Sequence, residues 1–334
     1  MRAILLRKQA PVDKNELSLE EVEKPLPKDN QLLIKIKSCA ICRTDIHIIE
    51  GDMPPLKLPL IPGHQIVGVI GEVGDKVSNS KIGDYVGVPW LYRSCGVCRF
   101  CKKNLENLCD NALFTGYSVD GGYAEYMLGI DDFALPLPRD VDDTKLAPFL
   151  CGGAIGFRAL KLTGLLNKGR GKLGIFGFGS AAHLIAPIAI KKGLELYVFT
   201  RGSSRQELGL RLGAKWAGRP GDSPGVKLDA ALVFAPVGSI VVEALRNLDK
   251  AGKVVIGEIH MTPIEKLDYD LLWLEREIKT VANVTRDDVK DFLFEALRAK
   301  VTPRVRVYGL KDVNQALKDV KDGKVDGTAV LKIS

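Results

Sequence analysis

Hydrophobic and polar positions alternate along much of residues 1–90. Residues 31–37 and 65–73 place an apolar side chain at nearly every second position, and residues 83–88 form another such run after a turn. A period of two indicates strands that bury one face, and the Pro, Gly, Asp and Asn residues between the runs indicate turns. This part of the chain is therefore predicted to form a β-rich, barrel-like domain.

The pattern changes near Lys172, where continuous apolar runs alternate with helical stretches. A strand at 173–176 is followed by a tight turn, a helix over 181–192 and a second strand at 196–199. Strands that alternate with helices predict an open parallel sheet. Pro187 inside the helix predicts a kink, because an interior proline costs about 3 kcal/mol. Further strands are expected at 230–234, 253–256 and 281–285, the last of which would close the domain.

A length of 334 residues is long for one hydrophobic core, so two domains are expected. The net charge of +7 comes from scattered Lys and Arg residues, which argues against a nucleic-acid-binding stripe and favours an anionic ligand. We find no run suited to a membrane span or a signal peptide. The expected location is the cytoplasm, where the seven Cys would stay reduced and available to metals.

Two potential metal ligands lie close together in the sequence, Cys42 and His64. Thiolate and imidazole are ligands that Zn²⁺ favours, and two of them leave a tetrahedron incomplete. Cys151, at the end of the apolar run 147–151, is the best candidate for a third ligand. Three ligands would leave one position open for water or substrate, as a catalytic zinc requires. The alternative is a buried free Cys near a structural His.

Four further Cys have the spacing C-x₂-C-x₂-C-x₇-C and are Cys95, Cys98, Cys101 and Cys109. Four thiolates complete a tetrahedron, so a zinc ion here would be structural. An iron–sulfur cluster is the alternative, because C-x₂-C-x₂-C also begins ferredoxin motifs. In those motifs the fourth Cys usually precedes Pro, whereas Cys109 precedes Asp110, so zinc is favoured.

With these motifs and the segment Gly121-Gly122-Tyr123-Ala124-Glu125-Tyr126, the chain resembles zinc-dependent alcohol dehydrogenases of the medium-chain dehydrogenase/reductase family over essentially its whole length. The resemblance implies a two-domain α/β fold. A GroES-like, β-rich catalytic domain would span 1–150 and 285–334, and a Rossmann dinucleotide-binding domain would span 151–284. An alcohol or aldehyde substrate and a homodimer or homotetramer are implied, and no nucleic-acid or membrane partner is expected.

The turn after the strand at 173–176 has the pattern G-x-G-x-x-A and reads Gly177-Phe178-Gly179-Ser180-Ala181-Ala182. The first Gly makes the turn, the second lets the backbone approach a pyrophosphate, and the Ala allows the helix to pack closely on the strand. Such a turn between a strand and a helix predicts a dinucleotide cofactor.

The end of the second strand bears on the choice of cofactor and reads Thr200-Arg201-Gly202-Ser203-Ser204-Arg205. NAD-binding proteins usually place an acidic residue there, and this segment has none. An Arg beside hydroxyl donors suits a 2′-phosphate, so NADP is favoured over NAD. The alternative is that Arg201 and Arg205 are only solvated charges.

The resemblance also implies roles in catalysis. Two Zn²⁺ per chain are expected, the catalytic one held by Cys42, His64 and Cys151. Asp45 would orient the imidazole of that site. Thr44 and His47 would relay a proton between the alcohol and solvent.

Other residues are assigned by position or depart from the family pattern. Arg43 would meet the cofactor pyrophosphate, and Arg286 could join it or be a surface residue. Trp90 would line an apolar substrate channel or belong to the core. Gln65 stands where the family commonly has Glu, and Ile155 replaces a Thr often found against the nicotinamide.

Two other functions compete with an alcohol dehydrogenase. A polyol dehydrogenase of the same family would need a polar pocket, which Trp90 and Ile155 disfavour. A zinc-ribbon nucleic-acid-binding protein would need basic residues clustered with aromatic ones near the four Cys. The sequence offers there only Arg93, Arg99, Lys102 and Lys103 with Phe100.

Overall fold

The computed structural model of the chain describes residues 1–14 and 17–334. Contacts between residues divide it into two compact units. The first consists of Met1–Cys151, Asn283–Lys290 and Pro303–Ser334, and the second of Gly152–Ala282 and Asp291–Thr302. The sequence assigned all of 285–334 to the catalytic domain, whereas residues 291–302 make their contacts within the second unit.

The strands are mostly short. In chain order they are β1 (Arg2–Leu5), β2 (Ser18–Glu21), β3 (Gln31–Ile41), β4 (Gln65–Val73), β5 (Tyr85–Val88), β6 (Leu91–Arg93), β7 (Leu113–Phe114), β8 (Tyr126–Ile130), β9 (Leu135–Pro136), β10 (Gly171–Phe176), β11 (Leu194–Phe199), β12 (Trp216–Gly218), β13 (Leu228–Val233), β14 (Leu248–Ile256), β15 (Glu277–Thr280), β16 (Val305–Gly309) and β17 (Thr328–Lys332).

The α-helices in chain order are α1 (Arg43–Glu50), α2 (Asp143–Leu146), α3 (Gly152–Leu162), α4 (Leu165–Lys168), α5 (Ser180–Lys191), α6 (Ser203–Arg211), α7 (Gly238–Asn247), α8 (Arg286–Arg298) and α9 (Val313–Lys321). Short 3₁₀ helices lie at Cys101–Lys103, Glu106–Leu108, Asp131–Phe133, Ala147–Leu150, Tyr269–Leu271 and Leu310–Asp312. In the described part of the chain, none of the helices combines the length and the apolar character that crossing a membrane requires.

A mixed sheet forms the centre of the first unit. Its strand order is β16-β17-β3-β4-β5-β9, and β8 also pairs with β3. Strand β4 has the predicted bounds, whereas β3 continues to Ile41, beyond the predicted end at 37. The register with β4 shifts between Ile36 and Ser38, and this irregularity interrupts the simple alternation on which the predicted end depended. The β-rich, GroES-like class expected for this half is confirmed.

A parallel sheet forms the second unit, with the strand order β12-β11-β10-β13-β14-β15 among the described residues. Every pair in it is parallel, and the order reverses between β10 and β13. This is the strand order of a Rossmann fold, in which ligands bind at the carboxyl ends of the strands near the reversal point. The predicted Rossmann domain with an open parallel sheet is therefore confirmed.

The predicted strand at 281–285 is wrong. The last strand of the parallel sheet is β15, which ends at Thr280. Its sequence Glu-Ile-Lys-Thr lies at the sheet edge and is largely exposed, so it carries little apolar signal. Val281 and Val284 are buried in the connection that follows. Because these two residues are hydrophobic, the strand was predicted there, a few residues after its actual position.

Helix α5 continues from Ser180 to Lys191 through Pro187. Proline lacks the N–H that would bond to the carbonyl four residues earlier, so the helix continues at the cost of one backbone hydrogen bond. Most of its side chains are buried, and this packing offsets that cost. The bend at Pro187 stays a prediction.

Candidate active site and metal centres

Helix α1 presents the first candidate ligand at its amino end. Cys42 is the N-cap residue, and its Sγ accepts a hydrogen bond from the backbone N–H of Thr44 at 3.2 Å. The Asp45 carboxylate accepts in return from the N–H of Cys42 at 2.8 Å, which completes a capping box. The sequence Cys-x-x-Asp therefore fixes this sulfur at a helix amino terminus, where N–H groups favour a thiolate.

The loop that carries His64 is held by close backbone packing. Gly63 has φ +96°, and a Cβ there would lie 2.4 Å from the ring of Tyr123. The carbonyl of Gly63 accepts from the N–H of Gly122 at 2.9 Å. Only glycine fits this position, and the loop consequently holds His64 in one place in the interior.

His64 lies between a carboxylate and a thiol. Its Nδ1 is 2.9 Å from Oδ1 of Asp45, and its Nε2 is 3.5 Å from Sγ of Cys42. The carboxylate fixes the ring so that Nε2 points toward the sulfur. Asp45 and His64 are both 0% exposed, so the contact between these two side chains is sealed from solvent.

Cys151 completes a cluster with these two side chains. The three ligand atoms of Cys42, His64 and Cys151 all lie within 4.8 Å of one another. Tetrahedral zinc with bonds of about 2.3 Å to sulfur and about 2.0 Å to nitrogen requires a sulfur–nitrogen separation of about 3.5 Å. The Cys42–His64 distance has this value, so the donors fit a tetrahedral metal ion with one position left open.

The protonation of the cluster also suits a cation. A hydrogen bond with Cys151 lowers the pKa of Cys42 well below its usual range, and the same contact raises the pKa of Cys151. Burial opposes protonation of His64, but Asp45 and Cys42 outweigh it and raise the pKa of His64 to about 10. The three donors therefore share protons that a bound dication would displace.

The four-Cys segment 95–109 forms a second cluster, with all four Sγ atoms within 4.8 Å of one another. Sγ of Cys101 is 3.6 Å from that of Cys98 and 4.0 Å from that of Cys95, close to the sulfur–sulfur edge of about 3.8 Å in a zinc tetrahedron. The N–H of Cys98 donates to Sγ of Cys95 at 3.3 Å, an arrangement that supports thiolates. These donors fit one ion with no open position.

Arg286 makes polar and ring contacts beside this segment. Its Nη2 donates to the Glu106 carboxylate at 2.8 Å, its backbone N–H donates to the same carboxylate at 2.8 Å, and its guanidinium lies 4.3 Å from the Phe133 ring. Burial alone would raise the pKa of Glu106, but the contacts with Arg286 outweigh it and lower that pKa. The guanidinium thus stabilises the cysteine segment through Glu106, and a contact of Arg286 with the cofactor stays a prediction.

The other predicted catalytic side chains follow Cys42 on α1. Thr44 and His47 are three residues apart and share a face of the helix. Nδ1 of His47 lies 2.7 Å from Oδ2 of Asp52, and side-chain exposure rises from 13% at His47 to 42% at Asp52. Nη2 of Arg43 donates to the carbonyl of Lys321 at 3.4 Å.

Trp90 is buried directly beside the first cluster. Its ring meets the His64 ring edge-on at 5.0 Å and stacks with Phe114 at 5.3 Å and Tyr117 at 5.8 Å. It therefore belongs to the core and also adjoins a candidate ligand. No periodic pattern marks Phe114, which ends the two-residue strand β7, or Tyr117, which lies in the turn that follows.

Two polar atoms near the cluster are buried without a hydrogen-bond partner among the described residues, Nε2 of Gln65 and Oη of Tyr123. Gln65 directly follows His64, and Tyr123 packs on Gly63. Burying such atoms costs free energy. The sequence marked Gln65 as a departure from the family, whereas Tyr123 stood out only as part of a motif.

The glycine turn of the second unit leads from β10 into α5. Gly177 has φ +93°, and a Cβ there would lie 2.5 Å from the carbonyl oxygen of Phe234. A Cβ on Gly179 would meet no atom within 4 Å, so space is open at the helix amino terminus. Ala182 is fully buried, which brings the helix onto the sheet. Ser180 and Ala181 form the first helical turn, whose N–H groups favour an anion.

The end of β11 lies beside β12. Thr200 is buried, its N–H donates to the carbonyl of Gly218 at 2.8 Å, and its own carbonyl accepts from Nε2 of Gln206 at 2.7 Å. Arg201, Ser203 and Arg205 are all exposed at the start of α6.

Comparison with known proteins agrees with these features. Residues 28–139 match the family model described as "Alcohol dehydrogenase GroES-like domain". The chain is 41% identical over 339 residues to the "Probable alcohol dehydrogenase AdhA" of Mycobacterium tuberculosis, covering 100% of this chain and 97% of that protein. It is 34% identical to an alcohol dehydrogenase of Geobacillus stearothermophilus over 96% of each protein.

A solved structure is similar over the same length. The cinnamyl alcohol dehydrogenase SbCAD4 of Sorghum bicolor has a TM-score of 0.89 and 25% sequence identity, with 99% of this chain and 97% of that chain covered. This similarity along the whole chain argues against the alternative of a zinc-ribbon nucleic-acid-binding protein. The chain belongs to the alcohol dehydrogenases of the medium-chain dehydrogenase/reductase family.

Proposed function

We propose that this alcohol dehydrogenase depends on zinc and interconverts alcohols with aldehydes or ketones, using NADP in preference to NAD. The observation that carries the zinc dependence is the partly buried cluster of Cys42, His64 and Cys151, whose spacing fits a tetrahedral ion with one open position. A bound zinc ion supplies a Lewis acid for the alcohol oxygen, and a bound nicotinamide supplies the hydride acceptor.

The chain's own residues position the metal ligands. Asp45 holds Nδ1 of His64, and the capping box holds Cys42 through the same carboxylate. One buried side chain therefore orients two of the three ligands. The Trp90 ring packs against the His64 ring and places an apolar surface beside the ligand cluster, which favours an apolar alcohol over a polyol.

Thr44, His47 and Asp52 offer a route for the proton. In alcohol oxidation the substrate hydroxyl would give its proton to the Thr44 hydroxyl as that group passes its own proton to the His47 ring. Asp52 accepts from or orients Nδ1 of His47, and it is the most exposed member of the series. The proton would therefore move from the buried site to solvent along one side of α1.

The four-Cys cluster is proposed to hold a second, structural zinc. Its four sulfurs fill a tetrahedron, and Glu106 between Cys101 and Cys109 ties the segment to Arg286. This ion would stabilise the segment and take no part in the chemistry.

The cofactor is proposed to bind at the carboxyl ends of the parallel strands. Gly177 and Gly179 with the first turn of α5, Ser180–Ala182, would receive the pyrophosphate. The contact of Arg43 with the pyrophosphate stays a prediction. Thr200 takes the place of the acidic residue that binds an unphosphorylated ribose, and Arg201, Ser203 and Arg205 offer donors to a 2′-phosphate. The cytoplasmic location and the homodimer or homotetramer stay predictions.

Two measurements on the purified protein test this function. Metal analysis should give two zinc ions per chain, and aldehyde reduction should proceed with a far lower KM for NADPH than for NADH. A panel of short and aromatic aldehydes with a polyol control would identify the substrate class. Equal KM values for the two cofactors would refute the NADP preference, and full activity without zinc would refute the metal dependence.

A further inference from the structure

The register of the parallel sheet brings a third basic side chain to the predicted ribose end of the cofactor site. Phe199 at the end of β11 lies opposite Gly218 at the end of β12. The N–H of Thr200 still bonds to the carbonyl of Gly218 at 2.8 Å, so the pairing continues past the ends of both strands. The backbone of Arg219 therefore lies next to that of Thr200 and Arg201, although Arg201 and Arg219 are 18 positions apart in the sequence.

The backbone at Arg219 is held in a defined turn. Its N–H donates to Oδ2 of Asp222 at 2.7 Å, and the N–H of Asp222 donates back to the carbonyl of Arg219 at 3.0 Å. Neighbouring strands lie about 4.8 Å apart. Because an Arg side chain is longer than this spacing, the side chains at 201 and 219 can reach a common point beyond the sheet edge.

The basic side chains at this edge are exposed and have no ion pair or hydrogen bond within the part of the chain that the structure describes; they belong to Arg201, Arg205 and Arg219. Farther along α6, Arg211 instead lies 3.6 Å from Glu207. The uncompensated positive charge thus lies where β11 and β12 end, at the position of the predicted ribose contact.

We propose that Arg219 acts with Arg201 as a two-arginine clamp on the 2′-phosphate of NADP, and is a specificity-determining residue of this enzyme. The inference rests on the proposed NADP preference. A 2′-phosphate carries between about 1.5 and 2 negative charges at pH 7, so a single guanidinium leaves it incompletely neutralised. Two guanidinium groups, one from each strand end, match that charge and can each form paired hydrogen bonds with phosphate oxygens.

The experiment measures binding of two nucleotide fragments to the full-length, zinc-loaded protein by calorimetry. The fragment 2′,5′-ADP carries the 2′-phosphate, and 5′-AMP lacks it. The variants are Arg219→Gln and Arg201→Gln. Lys215→Gln is the matched control, because it removes the same charge from an exposed residue just before β12, at the opposite end of that strand.

Arg219→Gln should weaken 2′,5′-ADP binding by about tenfold or more, the loss expected for a charge-assisted hydrogen bond, while 5′-AMP binding changes by less than about twofold. Lys215→Gln should leave both fragments within about twofold of the wild type. Arg219→Lys should recover only part of the loss, because an ammonium keeps the charge but not the planar fork.

The outcomes separate this inference from the proposed function. If Arg201→Gln weakens 2′,5′-ADP but Arg219→Gln behaves like Lys215→Gln, the NADP preference stands and the clamp is wrong. If the wild type binds 2′,5′-ADP no more tightly than 5′-AMP, the NADP preference fails and the clamp fails with it. Equal losses for both fragments in Arg219→Gln would also contradict a contact with the 2′-phosphate.

Discussion

Oδ1 of Asp45 lies 2.9 Å from Nδ1 of His64, and its other oxygen accepts the backbone N–H of Cys42 at 2.8 Å. One buried carboxylate thus contacts two residues of the ligand cluster. Burial raises the pKa of Asp45, and the neighbouring His64 opposes that shift. The imidazole that the carboxylate orients therefore also stabilises the charged form of Asp45 in the interior.

The first prediction concerns this carboxylate. Asp45→Asn should weaken zinc binding at the Cys42 cluster by about 10- to 100-fold, because the amide neither holds the imidazole as firmly nor adds negative charge. Competition with a chromophoric chelator measures the affinity. Asp52→Asn is the matched control, since Asp52 contacts His47 of α1 and no proposed ligand.

Zinc affinity in Asp52→Asn should equal that of the wild type. An Asp45→Asn protein that keeps wild-type zinc affinity would show that the ligands are oriented by the loop and the helix cap alone.

The second prediction concerns the proton route along α1. Thr44→Val should remove most turnover, because the substrate proton loses its hydrogen-bonded acceptor. His47→Gln should be milder and should slow alcohol oxidation most at low pH, where solvent offers few bases to replace the relay. The pH–rate profile of each variant is the measurement, with zinc content as a check that the site is intact.

If His47→Gln keeps the wild-type pH profile, His47 has no part in the relay. A uniform loss at every pH would instead indicate that its contact with Asp52 only supports the local structure.

The third prediction concerns Glu106 and Arg286. Glu106→Gln should lower the free energy of unfolding of the first unit by about 1–3 kcal/mol, because a partly buried guanidinium loses its charged acceptor. A double-mutant cycle with Arg286→Gln, measured by urea unfolding, should give a coupling energy of similar size.

The pair of Arg2 and Glu125 provides the comparison, with side chains 57% and 28% exposed. Its coupling should be at most about 1 kcal/mol, as for other exposed pairs. Equal coupling energies for the two pairs would mean that Arg286 does not fasten the cysteine segment.

The parts that sequence predicted well depend on local patterns. Strand β4 has the bounds predicted from its own sequence, the Cys-x-x-Asp cap of α1 is local, and the four Cys lie within 15 positions. The parts that it missed depend on distant pairings. Glu106 meets Arg286 across 180 residues, and Arg219 reaches the end of β11 only through the parallel register. No periodicity within either segment encodes such contacts.

Metal analysis of Cys151→Ser tests the central claim most directly. The wild type should contain two zinc ions per chain, and Cys151→Ser should stay folded, retain one and lose aldehyde reduction, because the remaining cluster has only two strong ligands. Cys39→Ala is the matched control, since Cys39 is a buried thiol outside both clusters, and it should keep both ions. Two zinc ions and full activity in Cys151→Ser would contradict the account, as would a wild type that binds one zinc or binds iron with visible absorption.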